Sequence, residues 1–198
     1  GKSTLVRDCL IPAVRQDIPG KKGVPRRVQG SEHFNRLVVI DQSPIGRTPR
    51  STPATATGLL QVLRPLYAQL PLSKQRGYTA ARFSPNIRGG RCERCLGTGM
   101  IEVDMNFLGN VTMPCDACQG QCYNRETLEV TWKGKSIAQA LALTVDEAEE
   151  FFSSLPRAAA ILKSMQDVGL GYLSLNRRAD TLSGGESQRI KIAAELAK

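Results

Sequence analysis

The residues best suited to chemistry are four cysteines in two Cys-x-x-Cys pairs, Cys92/Cys95 and Cys115/Cys118, with 19 residues between the pairs. Each pair can place two thiolates on one face of a tight turn, and two such turns supply the four sulfurs of a tetrahedral zinc site. A glycine stands two residues after each pair, where it lets backbone N–H groups turn towards the sulfurs. The spacing therefore predicts a closed, structural Zn²⁺ site.

Two other interpretations of the cysteines are weaker. Disulfides need an oxidising compartment, which nothing in the sequence suggests, and a redox Cys-x-x-Cys does not explain two pairs with matching glycines. Cys122 lies near the pairs but off their spacing, and Cys9 lies in an apolar segment. We expect both to be free thiols.

Two separate segments are suited to binding phosphate. Gly1-Lys2-Ser3, followed by Thr4, matches the end of the P-loop pattern, in which the Lys reaches the β- and γ-phosphates and the Ser hydroxyl meets Mg²⁺. Leu182-Ser183-Gly184-Gly185-Glu186 is more specific, because two glycines weaken a first helical turn unless a phosphate must approach its N–H groups. An ordinary capping box between Ser183 and Glu186 is the alternative.

Gln42 follows an apolar, β-branched run, residues 37–40, which predicts a buried strand ending at Asp41. An amide at the end of a strand can reach a metal ion or a water beside a nucleotide. An ordinary loop glutamine is the alternative.

Prolines and capping patterns predict the other elements. We expect the first helix to end at Pro12, and a helix over residues 58–70 to be kinked or restarted at Pro65. Three further elements are a strand over residues 128–132, a helix opened by Thr144 and a helix restarted at Pro156.

Charge is distributed unevenly along the chain. The net charge is +9, yet residues 1–95 hold 17 Lys and Arg against 5 Asp and Glu, whereas residues 96–198 hold 10 against 13. The basic half, residues 1–95, is expected to attract polyanions, because neutralising phosphates releases their counterions. A basic face that only contacts solvent is the alternative. Between Pro71 and Cys95, called the basic segment below, six basic residues stand against one acid, Glu93. Candidate contacts to nucleic-acid phosphates there are Lys74, Arg76, Arg82, Arg88 and Arg91.

Length and composition indicate a globular protein of one or two domains, with 198 residues, 41% hydrophobic and 23% charged. No apolar run approaches the roughly 20 residues of a membrane helix, and no signal peptide opens the chain, so we expect a cytoplasmic protein without membrane contact. The first residue is not Met, and the chain stops inside an apparent helix. We therefore expect a fragment.

A P-loop end, a Gln loop and an LSGGE signature, in that order, resemble the ABC ATPase superfamily. The resemblance is closer still to the second ATPase half of the UvrA family. It is carried by the zinc module between Gln loop and signature and by Asp41–Ser51, Gly89–Glu93, Tyr123–Glu129, Asp167–Tyr172 and Thr181–Glu186. The chain departs from the family pattern at Ala80-Ala81, at Cys122 and at Asn176-Arg177-Arg178, which leaves a divergent paralogue open.

This resemblance implies an α/β fold: a partial ABC-type P-loop ATPase core with an inserted α+β signature domain that carries the four-cysteine zinc module. The ATP-binding core would take residues 1–50. The insertion would take residues 51–175, with the zinc module at 88–125, and the signature motif and its helix would take residues 176–198.

The resemblance also implies a function, a DNA-damage-recognition ATPase subunit of the UvrABC nucleotide excision repair system. Such a protein binds ATP and duplex DNA, forms a homodimer and meets UvrB through its other half. One nucleotide with Mg²⁺ would be bound by Gly1, Lys2, Ser3, Thr4 and Gln42. The γ-phosphate of a second nucleotide, held by the other half, would be touched by Ser183, Gly184 and Gly185. The Walker B carboxylates would follow Lys198, so we expect this chain alone not to hydrolyse ATP.

Two alternatives are open. A UvrA-like ABC ATPase that acts in antibiotic resistance or transport would share these motifs, and a preference for damaged DNA would distinguish repair. A non-enzymatic zinc chaperone module of the DnaJ type also carries Cys-x-x-Cys-x-Gly turns. The P-loop and LSGGE segments count against that second alternative.

Overall fold

A computed structural model describes residues 1–15, 29, 33, 36–46, 48–104 and 110–198. The chain divides into two compact units, Gly1–Ile40 and Asp41–Lys198. The first unit begins with an uninterrupted helical run that consists of α1 (Lys2–Thr4), a π-helical segment (Leu5–Leu10) and α2 (Ile11–Arg15).

The helix continues through Pro12, so the prediction that it ends there is wrong. In a regular α-helix, proline lacks the N–H for its hydrogen bond, and its ring clashes with the carbonyl four residues earlier. The turns before Pro12 are π-helical, and the Ile11 N–H bonds the carbonyl of Val6, five residues back. This wider winding accommodates the proline ring inside the helix.

Residues 36–40 are irregular, so the predicted buried strand is also wrong. The side chains of Leu37, Val38 and Val39 are 37–48% exposed. A strand forms only with a hydrogen-bonded neighbour, and the described part of Gly1–Ile40 provides none.

The second unit is mainly helical. Its helices are α3 (Pro53–Ala56), α4 (Leu59–Ala68), α5 (Pro71–Gln75), α6 (Arg125–Leu128), α7 (Ile137–Ala142), α8 (Val145–Phe152), α9 (Pro156–Asp167) and α10 (Gly184–Leu196). Their apolar faces share one core, whose largest fully buried side chains include Leu59, Leu63, Tyr67, Phe83, Tyr123, Ile137, Phe152, Leu162 and Met165. This core positions the helices that carry candidate site residues of the second unit.

Helix α4 shows how the sequence sets that frame. Leu59, Leu63 and Tyr67 recur at helical spacing and are fully buried. Pro65 lies on the exposed side, one turn after the exposed Gln61, and the helix runs through it without restarting. On an exposed face, water can bond a carbonyl that proline leaves without its helical partner. The helices opened by Thr144 and Pro156 form as predicted, as α8 and α9.

Two antiparallel strand pairs complete the second unit. β1 (Met100–Asp104) pairs with β2 (Asn110–Pro114), with Ile101 opposite Met113. β3 (Thr131–Trp132) pairs with β4 (Lys135–Ser136). The strand predicted over residues 128–132 is therefore only two residues long, because the chain before it closes helix α6.

The predicted mixture of helix and strand is confirmed, but the sheets within the described residues are antiparallel pairs and not the parallel sheet of an α/β core. The boundaries of the inserted domain stay a prediction. Among the described residues, no helix combines the length and the apolar character that crossing a membrane requires.

Candidate functional site

The two Cys-x-x-Cys pairs meet at the base of the β1–β2 hairpin. Cys92 and Cys95 precede β1, and Cys115 and Cys118 follow β2, so strand pairing brings turns together that are 23 residues apart. The Cys115 N–H also donates to the Gly99 carbonyl at 2.9 Å, which continues the pairing beyond the strands. All four thiols are buried and lie within 4.8 Å of one another.

Distances between the sulfurs fit a tetrahedral metal centre. The Cys92 and Cys115 sulfurs are 3.9 Å apart, and those of Cys95 and Cys118 are 3.7 Å apart. Four sulfurs about 2.3 Å from a tetrahedral zinc ion lie about 3.8 Å from one another. A disulfide would need a separation of about 2.05 Å. These two separations match, and every other pair of sulfurs lies within 4.8 Å, so the cluster has about the dimensions of a four-thiolate zinc site.

Backbone N–H groups point at this cluster. The Gly99 N–H donates to Cys95 Sγ at 3.3 Å. Burial acts to raise the pKa of Cys95, but hydrogen bonds from the Gly99 and Gly97 N–H groups, together with those from the Cys118 and Cys92 thiols, outweigh it and leave that pKa lowered. Burial raises the pKa of Cys92 and of Cys118. A divalent cation would reverse the repulsion between the thiolates and favour deprotonation of all four.

The two cysteine turns have the same backbone conformation. Leu96 and Gly97 have φ of 54° and 81°, and Gln119 and Gly120 have φ of 50° and 82°. Two successive left-handed residues curl each turn around its sulfurs, which accounts for the glycines in the sequence pattern. Their surroundings differ, however, because a Cβ on Gly97 would lie 1.9 Å from the carbonyl oxygen of Pro85, whereas one on Gly120 would meet nothing within 4 Å.

Three of the five predicted DNA contacts are engaged within the protein. Arg76 pairs with Glu129 at 2.6 Å. The Arg82 guanidinium lies over the Tyr78 ring. The third, Arg91, forms two hydrogen bonds to the Glu93 carboxylate, at 3.3 and 3.2 Å.

Lys74 and Arg88 are exposed, and neither side chain forms a hydrogen bond or ion pair with the rest of the described chain. Arg88 lies in the loop before the first cysteine turn. The Asn124 side chain donates to the Gly89 carbonyl at 2.7 Å and fixes that loop. Within the basic segment, residues 71–95, Lys74 and Arg88 are therefore the two cations without a hydrogen bond or ion pair to the described residues.

The signature segment forms the start of α10. The Ser183 hydroxyl accepts from the Glu186 N–H at 3.2 Å, and the Glu186 carboxylate accepts from the Ser183 N–H at 2.8 Å. The capping box that the sequence offered as an alternative is thus present. Ser183, Gly184 and Gly185 are nevertheless exposed at the start of this 13-residue helix, where free N–H groups favour an anion.

The Glu186 carboxylate has a second partner, which sequence reasoning missed. The exposed Tyr172 hydroxyl donates to it at 2.9 Å. Hydrogen bonds from the Ser183 N–H and hydroxyl hold the pKa of Glu186 below its usual value. The pairing joins the loop before α10 to the signature segment.

Gln42 also lies at this helix. A Cβ built on Gly184 would be 3.5 Å from Gln42 Cβ, an ordinary van der Waals contact. Its neighbour Asp41 pairs with Lys191 of α10 at 2.5 Å, and hydrogen bonds from Lys191 and Ser43 hold the pKa of Asp41 well below its usual range. Sequence reasoning missed Lys191, because no local pattern indicates a partner 150 residues away.

The P-loop residues lie in the other unit. Gly1, Lys2 and Thr4 are exposed, and α1 begins at Lys2, so the N–H groups of a helix start lie at the predicted phosphate site. Ser3 lies in the same turn.

Comparison with known proteins finds relatives that share one name. No protein-family model matches the chain. It is 52% identical over 202 residues to UvrABC system protein A of Salmonella typhimurium and of Escherichia coli (strain K12), and 53% identical over 201 residues to that of Micrococcus luteus. The matches cover 100% of this chain and 22%, 22% and 20% of those relatives, so the chain spans about a fifth of their length.

A solved structure shows the same similarity. The fold matches UvrA2 from Deinococcus radiodurans with a TM-score of 0.86 and 50% sequence identity, over 98% of this chain and 24% of that one.

Proposed function

The whole chain is related to the UvrA proteins in sequence and fold, and on that premise we propose that it forms part of an ATP-dependent DNA-damage-recognition subunit of the UvrABC nucleotide excision repair system. The 52% identity over its full length carries this proposal. The names of the relatives give no support to a role in antibiotic resistance or transport.

ATP would be bound at two separate places. Lys2 and Ser3 would bind the phosphates and Mg²⁺ of one nucleotide, with Gly1 and Thr4 in the same helical turn. The exposed start of α10, with Ser183, Gly184 and Gly185, would contact the γ-phosphate of a nucleotide held by the other half of the protein. Gln42 would be the Gln-loop residue of the ATPase.

The four-cysteine cluster would be a structural zinc centre. Its sulfurs are buried, and all four positions of a tetrahedral ion are filled by protein, which leaves no open position for substrate. Zinc there would hold together the base of the β1–β2 hairpin and the start of the loop that carries Arg88. Duplex DNA would meet the basic segment, most directly through its unpartnered cations Lys74 and Arg88.

The resemblance to the UvrA family implies two protein partners, a second copy of the protein and UvrB, the latter through another part of the protein. We expect ATP hydrolysis to be an activity of the intact protein.

Binding of lesion-bearing duplex by the intact protein tests the proposal. We expect tighter binding to a duplex with one bulky adduct than to the undamaged duplex in the presence of ATP. We also expect Lys2→Ala and Ser183→Ala to reduce ATP hydrolysis. Equal affinity for both duplexes, with hydrolysis unaffected by either change, would contradict the proposal.

A further inference from the structure

We propose that Lys191 is a positioning residue, which fixes the loop around Gln42 against α10 so that Gln42 and the signature segment respond to nucleotide together. This inference rests on the proposed ATPase function.

The Lys191 ammonium is fully engaged by a single loop. Its Nζ lies 2.5 Å from Asp41 Oδ1, 2.6 Å from Ser43 Oγ and 3.3 Å from the Asp41 carbonyl oxygen. A lysine has three N–H donors, and the loop provides three acceptors. Lys191 therefore donates hydrogen bonds to the residues on both sides of Gln42, Asp41 and Ser43.

The loop is itself closed around Gln42. The Ser43 N–H and hydroxyl both donate to Asp41 Oδ1, at 3.2 and 2.6 Å. This turn restricts the residue between them. Removing the ammonium would leave the turn without its attachment to α10.

Gln42 lies beside the start of α10, since a Cβ built on Gly184 would come 3.5 Å from Gln42 Cβ. Gly184 and Lys191 are seven positions apart, about two helical turns, so the loop follows the first part of the helix and is attached to it at Lys191. The hydrogen bonds of Lys191 therefore keep Gln42 near the residues beside Ser183.

We expect this ion pair to affect the position of the Gln42 loop more than the folding free energy. The side chains of Lys191 and Asp41 are 26% and 56% exposed, and ion pairs of this kind add little to folding free energy. Misplacing a site group by about 1 Å, however, can cost up to about 100-fold in rate. Lys191 should therefore influence turnover more than folding.

The test is steady-state ATP hydrolysis by the intact protein with Lys191→Met. We expect kcat to fall about tenfold, while the KM for ATP changes less than about twofold and the melting temperature stays within about 2 °C. Lys191→Arg should recover most of kcat, since a guanidinium can also donate to Asp41 and Ser43. Lys163→Met is the matched control, because its 3.1 Å pair with Asp167 lies within α9.

Hydrogen exchange of residues 41–46 provides a readout that does not depend on hydrolysis. We expect Lys191→Met to accelerate exchange there while α10 is unchanged. Unchanged exchange, or a kcat equal to that of the wild type, would overturn the positioning role. A wild-type protein that does not hydrolyse ATP would instead refute the proposed function, and exchange would still decide whether Lys191 holds the loop.

Discussion

The Arg82 guanidinium lies 4.2 Å from the centroid of the Tyr78 ring, and its Nε donates a 2.9 Å hydrogen bond to Thr127 Oγ1. The hydrogen bond to Thr127 joins the basic segment to α6. Arg76 reaches the residue that ends α6 through its ion pair with Glu129. Lys74 and Arg88 make no such contact within the described chain, so the basic residues fall into two groups with different expected roles.

Arg88→Ala should weaken binding of the intact protein to duplex DNA. Loss of one phosphate contact should lower the slope of log K against log salt by about one, equally for damaged and undamaged duplexes. Titrations at several salt concentrations measure that slope. Arg157→Ala on α9, an exposed cation outside the basic segment, is the control. A slope as steep as that of the wild type would remove Arg88 from the DNA-binding surface.

Arg82→Ala should destabilise the fold by about 1–2 kcal/mol, because it removes a cation–π contact and a charged hydrogen bond. Lys74→Ala, an exposed change in the same segment, should stay within about 0.5 kcal/mol. Urea unfolding of both variants measures the difference. If Arg82→Ala unfolds like the wild type and loses only DNA affinity, its main role is phosphate binding.

This division could not be predicted from the sequence. Arg82 and Arg88 stand in the same basic run, and only the fold places a tyrosine ring and a threonine hydroxyl beside one of them. The same holds for Lys191, whose partner Asp41 is distant in sequence. The first helix does not end at Pro12 as the sequence predicts, because the π-helical turn before it relieves the clash between the proline ring and an earlier carbonyl.

The two cysteine turns provide a matched pair of glycine substitutions. Gly120→Ala should cost about 1–2 kcal/mol, the penalty of a left-handed conformation for alanine. Gly97→Ala carries the same penalty and also drives its Cβ into the Pro85 carbonyl, so we expect about 3 kcal/mol or more. Urea unfolding of the zinc-loaded variants compares them. Equal costs would show that the Pro85 loop moves aside freely.

Glu186 should contribute a pH-dependent part of the stability. Its carboxylate has a lowered pKa because the Ser183 N–H and hydroxyl donate to it. The contribution is fully present above the unfolded pKa of about 4.3 and is lost as the pH falls through the lower folded value.

Unfolding by urea from pH 7 to pH 3 measures this effect. The stability difference between wild type and Glu186→Gln should be constant above about pH 5 and should shrink below it. Glu149→Gln is the control, since no hydrogen bond from the described residues holds that carboxylate. A difference that does not change with pH would show that Glu186 is not held by its cap.

Local patterns explain what the sequence did predict. The cap formed by Ser183 and Glu186 and the spacing of the cysteines depend on residues a few positions apart, or on two short repeats joined by one hairpin. A strand at residues 37–40 would need a neighbouring strand, which the described residues do not provide. Its apolar pattern alone was therefore not enough to predict a strand.

X-ray absorption at the zinc edge of the reduced, purified protein tests the central claim most directly. We predict one zinc per chain with four sulfur neighbours at about 2.3 Å, in agreement with the sulfur separations of 3.7 and 3.9 Å. Protein without stoichiometric zinc, or zinc bound by nitrogen and oxygen, would contradict it.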